Sequence, residues 1–456
     1  MKVKKILAIS LAISMISTNI APLAAISLPT KKVIKSQVTE YRFDYVNMDW
    51  WKSFNDDILE DYIIRAIEQN QDLKIATLRV EEYNQLTKLQ RAKEFPTATA
   101  GFSPNITKMP GITSSDSMYS FPMLVNYEAD IFLKNHDKTK SQKKLYEASK
   151  IDEKAAYIAI AAAVGSTYLN IVKLDELVDI QKEMVKSRKK IHELMQKRYD
   201  QGISSTTDVI RANKSYVTST NDLIELEKAR TLLLNKLAIL TGDSPANVAE
   251  LKRIPYSELS YNINIPQEIS SEVITQRPDY LKAEKMVEKA GLDVKIAKKE
   301  FLPSINILGL IFFNSSSFSK SLNWSNALAA FGGSALLPLF TGGQRIANLK
   351  ISKNKYEQVL QNYLKTNLIA IQEVNDSLNI LKLDNDKYIN NVDQYKMEEK
   401  TYELNKRKFD QGVISYLDLL QFKESLLNMN KLLASSRIDC AIDYIGLYKS
   451  SGNKIN

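Results

Sequence analysis

Two stretches of this chain, 138–201 and 345–411, each keep helical periodicity through roughly 64 residues without a proline. At 1.5 Å per residue each is expected to be one helix of about 95 Å. A rod of that length cannot bury its apolar stripe inside one globular subunit. It should pack side by side with other long helices as a coiled coil, including helices of other copies. Within the first rod, the apolar run from Ala155 to Val164 is too short to span a bilayer and reads as a tight helix interface.

Each rod ends in the same short stretch. Tyr199-Asp200-Gln201-Gly202 with Ser205 and Asp208 aligns, at an offset of 210, with Phe409-Asp410-Gln411-Gly412, Ser415 and Asp418. Gly202 and Gly412 supply the left-handed residue that closes a helix. Ser205 with Asp208, and Ser415 with Asp418, form a Ser-x-x-Asp capping box that opens the next one. Each copy is thus the tip of an αα-hairpin, and the chain is expected to contain an internal two-fold repeat.

The remainder of the composition agrees with few, long elements. Among 456 residues there are only 14 Gly and 12 Pro. The excess of 62 Lys and Arg over 53 Asp and Glu, +9, reads as mild and spread over the chain, with no nucleic-acid module. A single cysteine, Cys440, excludes an internal disulfide, and His136 and His192 fall in different elements. Without a phosphate-cradling loop or convergent His, Cys or carboxylate groups, no enzyme and no cofactor or metal is expected.

At the N-terminus, Lys2, Lys4 and Lys5, an apolar run to Ile20 and the small residues to Ala25 read as a secretory signal peptide, 1–25. A polar leader, 26–47, follows. The first repeat, 48–250, is expected to hold a helix from about Asp56 to Glu94, a β-hairpin at 97–131, the long helix 138–201, the tip 202–205 and a return helix 206–240. A connecting segment, 251–270, leads to the second repeat, 271–450. Its helix runs from about Ser271 to Glu300, followed by a hairpin 304–340, the long helix 345–411, the tip 412–415, a return helix 416–448, and a tail 451–456.

The hairpins alternate. Phe102, Ile106, Tyr119, Phe121, Val125 and Tyr127, then Ile305, Ile307, Ile311 and Phe313, are expected on one apolar face, with Ser120, Asn126 and Glu128 on a polar one. In a soluble protein such a face would lie on a core, the commoner case for a hairpin taken alone; in an exported chain it can equally meet lipid. Four strands are too few to close a barrel, so self-association is expected here as well.

The residues together resemble the TolC-like outer-membrane efflux family, in its branch paired with resistance-nodulation-division pumps. The resemblance runs from Trp50 to Tyr448 and is carried by Trp50-Trp51-x-x-Phe54, Asn70-x-Asp72-Leu73-x-x-Ala76 and Tyr127-Glu128-x-Asp130-x-Phe132. Gln276-Arg277-Pro278-Asp279, Phe301-Leu302-Pro303-Ser304, Pro338-Leu339-Phe340-Thr341-Gly342-Gly343 and the two tips complete it. It implies a mostly α fold with a small β part: a homotrimer with a long helical barrel across the periplasm and a 12-stranded barrel in the outer-membrane lipid of a Gram-negative cell. It also implies tips, at Gly202, Ser205, Asp208, Gly412, Ser415 and Asp418, that meet a periplasmic adaptor, and a gate lined by Asp418. Gln421 stands where some members carry a second gate acid, and Leu133-Lys134 replaces a frequent Gly-Arg.

The function so implied is a passive exit duct fed by an inner-membrane pump through the adaptor. A type I protein-secretion duct is the rival within transport. A secreted coiled-coil scaffold without a channel is the rival outside it, and the alternating hairpin faces argue against that.

Overall fold

The computed structural model describes residues 45, 49–107, 116–246, 251–261 and 265–452. The expected signal peptide lies outside them, as does the leader apart from Tyr45. One compact unit begins at Val46. Its first half comprises α1 (Asp49–Lys52), α2 (Asp57–Gln69), α3 (Gln71–Ala92), β1 (Thr97–Ala100), β2 (Ser103–Thr107), β3 (Asp116–Ala129), α4 (Lys134–Asp200) and α5 (Thr206–Thr241). The second comprises α6 (Glu272–Thr275), α7 (Pro278–Lys299), β4 (Ser304–Ser315), β5 (Ala327–Leu336), α8 (Gln344–Asp410) and α9 (Tyr416–Ser450).

The helices lie side by side as a row of four rods. α4 is the inner rod, packed against α3 and α5 on one side and α7 and α9 on the other, and α8 lies beyond α7 and α9. This explains why α4 is rich in buried residues whereas α8 buries only Ala370, Val374, Leu378, Leu381 and Asn405. The expected tight interface inside α4 is real. Tyr157, Ala161, Val164, Tyr168 and Leu169 are buried, and a Cβ on Gly165 would come within 2.7 Å of the Trp50 ring. Trp50 in turn lies 6.3 Å from Tyr448, and Phe54 lies 6.5 Å from Tyr444, so α1 pins α9 to α4.

Two rods of the row are composite, which corrects the expectation of single helices at 56–94 and 271–300. Asn70 leaves the helical region at φ −58°, ψ 132°, and its side chain accepts from the N–H groups of Asp72 (2.9 Å) and Leu73 (3.2 Å), capping α3. The same buried amide donates to Leu240 C=O at 2.9 Å, clipping the end of α5 onto the start of α3. Gly242 completes the joint with φ +77°, at a place where a Cβ would sit 2.9 Å from Gln69.

In the second half the proline at 278 pushes Arg277 to ψ 138° and opens α7 from its first position. The buried Arg277 guanidinium donates to Ser450 C=O at 2.6 Å and pairs with Asp279 at 2.7 Å and Glu373 at 2.5 Å. It thereby clips α9 onto α7. A return helix of 36 or 35 residues and a 22-residue helix thus stack end to end against a 67-residue helix in each half.

β1 and β2 are one edge strand. Thr97↔Asn126 and Thr107↔Asp116 belong to a single register against β3, interrupted opposite Pro122, which has no N–H to give back to Gly101. The sheet order is β1/β2, β3, β4, β5, all antiparallel, with one side of β1/β2 and one side of β5 unpaired among the described residues. The hairpins end earlier than expected, at Ala129 and Leu336.

Register places Phe121 opposite Phe313, Tyr127 opposite Ile307, Val125 opposite Gly309 and Ala129 opposite Ile305, so the expected apolar residues share one face. Phe102 stacks 4.7 Å from Phe121 on that face, and Ile106, opposite Ser117, has the same register parity. The opposite face is not the small polar one expected. Ser120, Asn314, Asn126, Asn306 and Glu128 lie towards its ends, but Leu124, Leu308, Leu310 and Phe312 occupy its middle.

If the joint at Asn70 holds the row together, Asn70→Ala removes a cap and leaves the half-buried Leu240 carbonyl without this partner, a loss of about 1–3 kcal/mol. Hydrogen exchange in the detergent-solubilised protein should show the amides of 237–242 and 72–74 opening faster by tenfold or more. Asn70→Asp, which keeps the cap alone, should restore only the second segment.

Candidate functional site: the two helix tips

α4 and α8 end in the same construction. Gly202 N–H donates to Tyr199 C=O and Ile203 N–H to Arg198 C=O, each at 2.8 Å. Gly412 and Val413 repeat this onto Phe409 and Lys408, again at 2.8 Å. The pairs 6→1 and 5→2 satisfy the last carbonyls of the helix and require the left-handed residue, here at φ +72° and +74°. A Cβ on either glycine would meet nothing within 4 Å, so only the backbone conformation demands glycine here.

Ser205 Oγ accepts from Asp208 N–H at 3.2 Å, and Asp208 Oδ2 accepts from Ser205 N–H at 3.3 Å and from its hydroxyl at 2.7 Å. At the second tip Asp418 Oδ2 accepts from Ser415 N–H at 3.1 Å and its hydroxyl at 2.6 Å, while Ser415 Oγ accepts from Asp418 N–H at 3.2 Å. These serine bonds hold both carboxyls below the usual carboxylate range, so both stay ionised into acid.

The structure thus brings together every tip residue that the sequence singles out, within each tip. It also shows a difference that sequence reasoning missed. Asp208 has Arg211 one turn on, 3.8 Å from its second oxygen, whereas Gln421 holds the corresponding place after Asp418 and is exposed. The signal was present in the alignment of the two copies, three residues past the acid. Asp208 thus has a cationic neighbour, whereas among the described residues no cation pairs with Asp418. Ile203 and Val413 are exposed beside them, at 61% and 67%.

The rods carrying the tips are bound to each other along their length. Lys423 reaches Glu183 at 3.1 Å, and Gln181 donates to Ser219 C=O at 2.7 Å and to its hydroxyl at 2.9 Å. Arg188 approaches Glu424 at 3.5 Å, where burial pushes the glutamate up. Among the described residues no group of three or more His, Cys, Asp or Glu gathers as metal ligands.

Comparison with known proteins bears on the same architecture. A family described as "Outer membrane efflux protein" matches residues 63–243 and 269–453. The "Probable efflux pump outer membrane protein TtgC" of Pseudomonas putida is 25% identical over 411 residues, covering 88% of this chain and 84% of its own. The "Cation efflux system protein CusC" of Escherichia coli is 23% identical over 410 residues, covering 90% and 89%. Among solved structures, the Campylobacter jejuni CmeC outer membrane channel superposes with a TM-score of 0.81 at 23% identity, over 90% of this chain and 89% of that one. The open state of the Neisseria gonorrhoeae MtrE outer membrane channel gives 0.77 at 24% identity, over 88% and 90%.

Replacing Gly412 with valine forces a β-branched residue into the left-handed region, at about 1–2 kcal/mol. The amides of 409–413 should then exchange about tenfold faster, with those of 199–203 unaffected. Equal exchange of the amides at 409–411 and 413 in variant and parent would show that the turn does not depend on glycine.

Proposed function

We propose that this chain, which belongs to the outer membrane efflux protein family, closes as a homotrimer into the exit duct of a tripartite efflux system. Members of the family are outer-membrane channel proteins of Gram-negative bacteria, not enzymes. Three copies would join β5 of one to β1/β2 of the next, closing a 12-stranded barrel. The rods below would continue as a tube, and each chain's internal repeat would supply two hairpins to it.

The observation that carries this reading is that the row of rods and the sheet are open at the same two sides. On α5, Ile210, Val217, Ile224, Leu232 and Ile239 recur at close to heptad spacing, and all are exposed. On α8, Leu364 and Ile371, then Met397 and Leu404, do the same at the opposite end of the row. Two apolar seams facing away from the chain, in line with two unpaired strand edges, are what a closed ring of identical copies uses up. The sheet face bearing Tyr119, Phe121, Val125, Tyr127, Ile305, Ile307, Ile311 and Phe313, with Phe102 and Ile106, would meet lipid. Tyrosines lie towards both its ends, as in the aromatic girdles of such barrels.

In this arrangement conduction is passive. Cargo would arrive from an inner-membrane pump through a periplasmic adaptor that docks on the tips, where exposed Ile203 and Val413 adjoin the capping boxes. Asp418, three times per trimer and without a cationic neighbour, would set the charge of the narrowest ring, and Gln421 would line it without adding charge.

Electron microscopy of the detergent-extracted chain should show threefold hollow particles with a stalk on the order of 100 Å, as 67-residue helices require. Monomers or solid rods would discard the duct. In planar bilayers Asp418→Asn should lower cation over anion preference several-fold or raise the resting conductance. Unchanged current and selectivity would remove Asp418 from the gate.

A further inference from the structure

Four helices meet the sheet, and all four do so at one end of it. α3 leads into β1, β3 into α4, α7 into β4 and β5 into α8. The register Thr97↔Asn126, Ala129↔Ile305 and Ser304↔Leu336 brings these connections to a common level. The three turns of each helix nearest the sheet, with its connection, span 82–96, 130–144, 289–303 and 337–354. They hold fifteen of the chain's 62 Lys and Arg but only six of its 53 Asp and Glu, so the rest of the chain carries 47 of each. The four segments thus carry an excess of nine basic residues at one level of the fold.

Five of the six acids at this level are engaged within the chain, Glu94 with His136 and Asp130 with the His136 N–H among them. Asp137 pairs with Lys295 at 3.4 Å and Lys299 at 2.5 Å, Glu300 with Lys138 at 3.7 Å, and Asp293 with Lys289 at 2.6 Å. No carboxylate among the described residues pairs with Lys140, Lys143, Lys298, Lys350 or Lys353, and all five are exposed. Lys140, Lys143, Lys144 and Lys295 line an open groove between α4 and α7 together with Glu147 and Glu288. Both glutamates pair with Lys144, at 2.9 and 2.6 Å, which leaves Lys140 and Lys143 free.

A second observation identifies the partner. Each of the four connections carries one exposed phenylalanine: Phe95 at 56%, Phe132 at 37%, Phe301 at 39% and Phe340 at 89%. A ring of aromatics followed within three turns by a ring of free cations is the profile of a membrane interface, where rings sit at the headgroup boundary and lysine stems reach outward to phosphate.

We propose that this collar binds anionic phospholipid headgroups in the leaflet facing the helices, fixing the height of the protein in the membrane. The inference rests on the reading of the sheet as membrane-spanning. β3, at 14 residues, is long enough for a tilted span.

The test titrates the full-length protein in mixed micelles with fluorescently labelled phosphatidylglycerol or phosphatidylcholine, following anisotropy. Phosphatidylglycerol should bind at least about tenfold more tightly at low salt, and the preference should fade as salt screens the charges. The triple variant Lys140→Gln, Lys143→Gln, Lys298→Gln should lose it. A control with Lys189→Gln, Lys190→Gln, Lys197→Gln, near the first tip, should keep it. Equal binding of the two lipids, retention of the preference by the collar variant, or displacement of the lipid by an equal concentration of inorganic phosphate would each overturn the proposal. The same preparation is placed in planar bilayers. A protein that conducts but shows no lipid preference overturns the collar alone, and one that prefers phosphatidylglycerol but does not conduct overturns the duct and leaves the collar standing.

Discussion

Everything in this structure depends on two joints at which one helix is made to continue another. Asn70 and Arg277 are buried, polar and placed where a chain would otherwise present unpaired carbonyls at the end of a return helix. By donating to Leu240 C=O and Ser450 C=O they turn a 36- or 35-residue helix and a 22-residue helix into one rod. Without that, the 67-residue helices would lack partners over part of their length. A buried carbonyl left unpaired costs more than its hydrogen bond returns, so the joints are also where the rods are least tolerant of change.

The long helices, the tips and the order of elements were legible in the sequence because each rests on local rules: helical period, glycine at positive φ, Ser-x-x-Asp capping. The tips were legible down to the atom, since a capping box is closed within four residues. The joints were not. Asn70 falls at helical spacing with Ile63, Ile67 and Leu73, and only the approach of Leu240, 170 residues away, reveals it as a break. The second sheet face was misread for a different reason. Strand alternation alone puts Leu124 beside Ser120, Asn126 and Glu128 on β3, and Leu308 and Leu310 on the face opposite Ile307 and Ile311 on β4, so the polar residues near the strand ends represent only part of that face.

Charge was the least legible property. A net +9 in 456 residues looks unremarkable until the fold sorts it by height and shows the sheet-side ends of the rods to be basic. The tips show the same lesson on a smaller scale. Arg211 and Gln421 differ by one charge, and only the shared geometry around Asp208 and Asp418 makes the difference a property of the tips rather than of two unrelated helices.

α4 and α8 are both 67 residues long and both begin at the sheet. A helix has no slack: one added residue lengthens it by 1.5 Å and turns everything beyond it by about 100°. A single insertion in either long helix would therefore lift one tip out of level with the other and swing its face away from its neighbours. Only insertions matched in both long helices and in both partner rods preserve the plane, and only near-whole numbers of turns preserve the faces. Seven residues, about 10 Å, is the smallest step that nearly satisfies the second condition. The span of such a protein can thus change only in coarse increments, which makes its length a quantised trait and any apparatus that must reach it equally so.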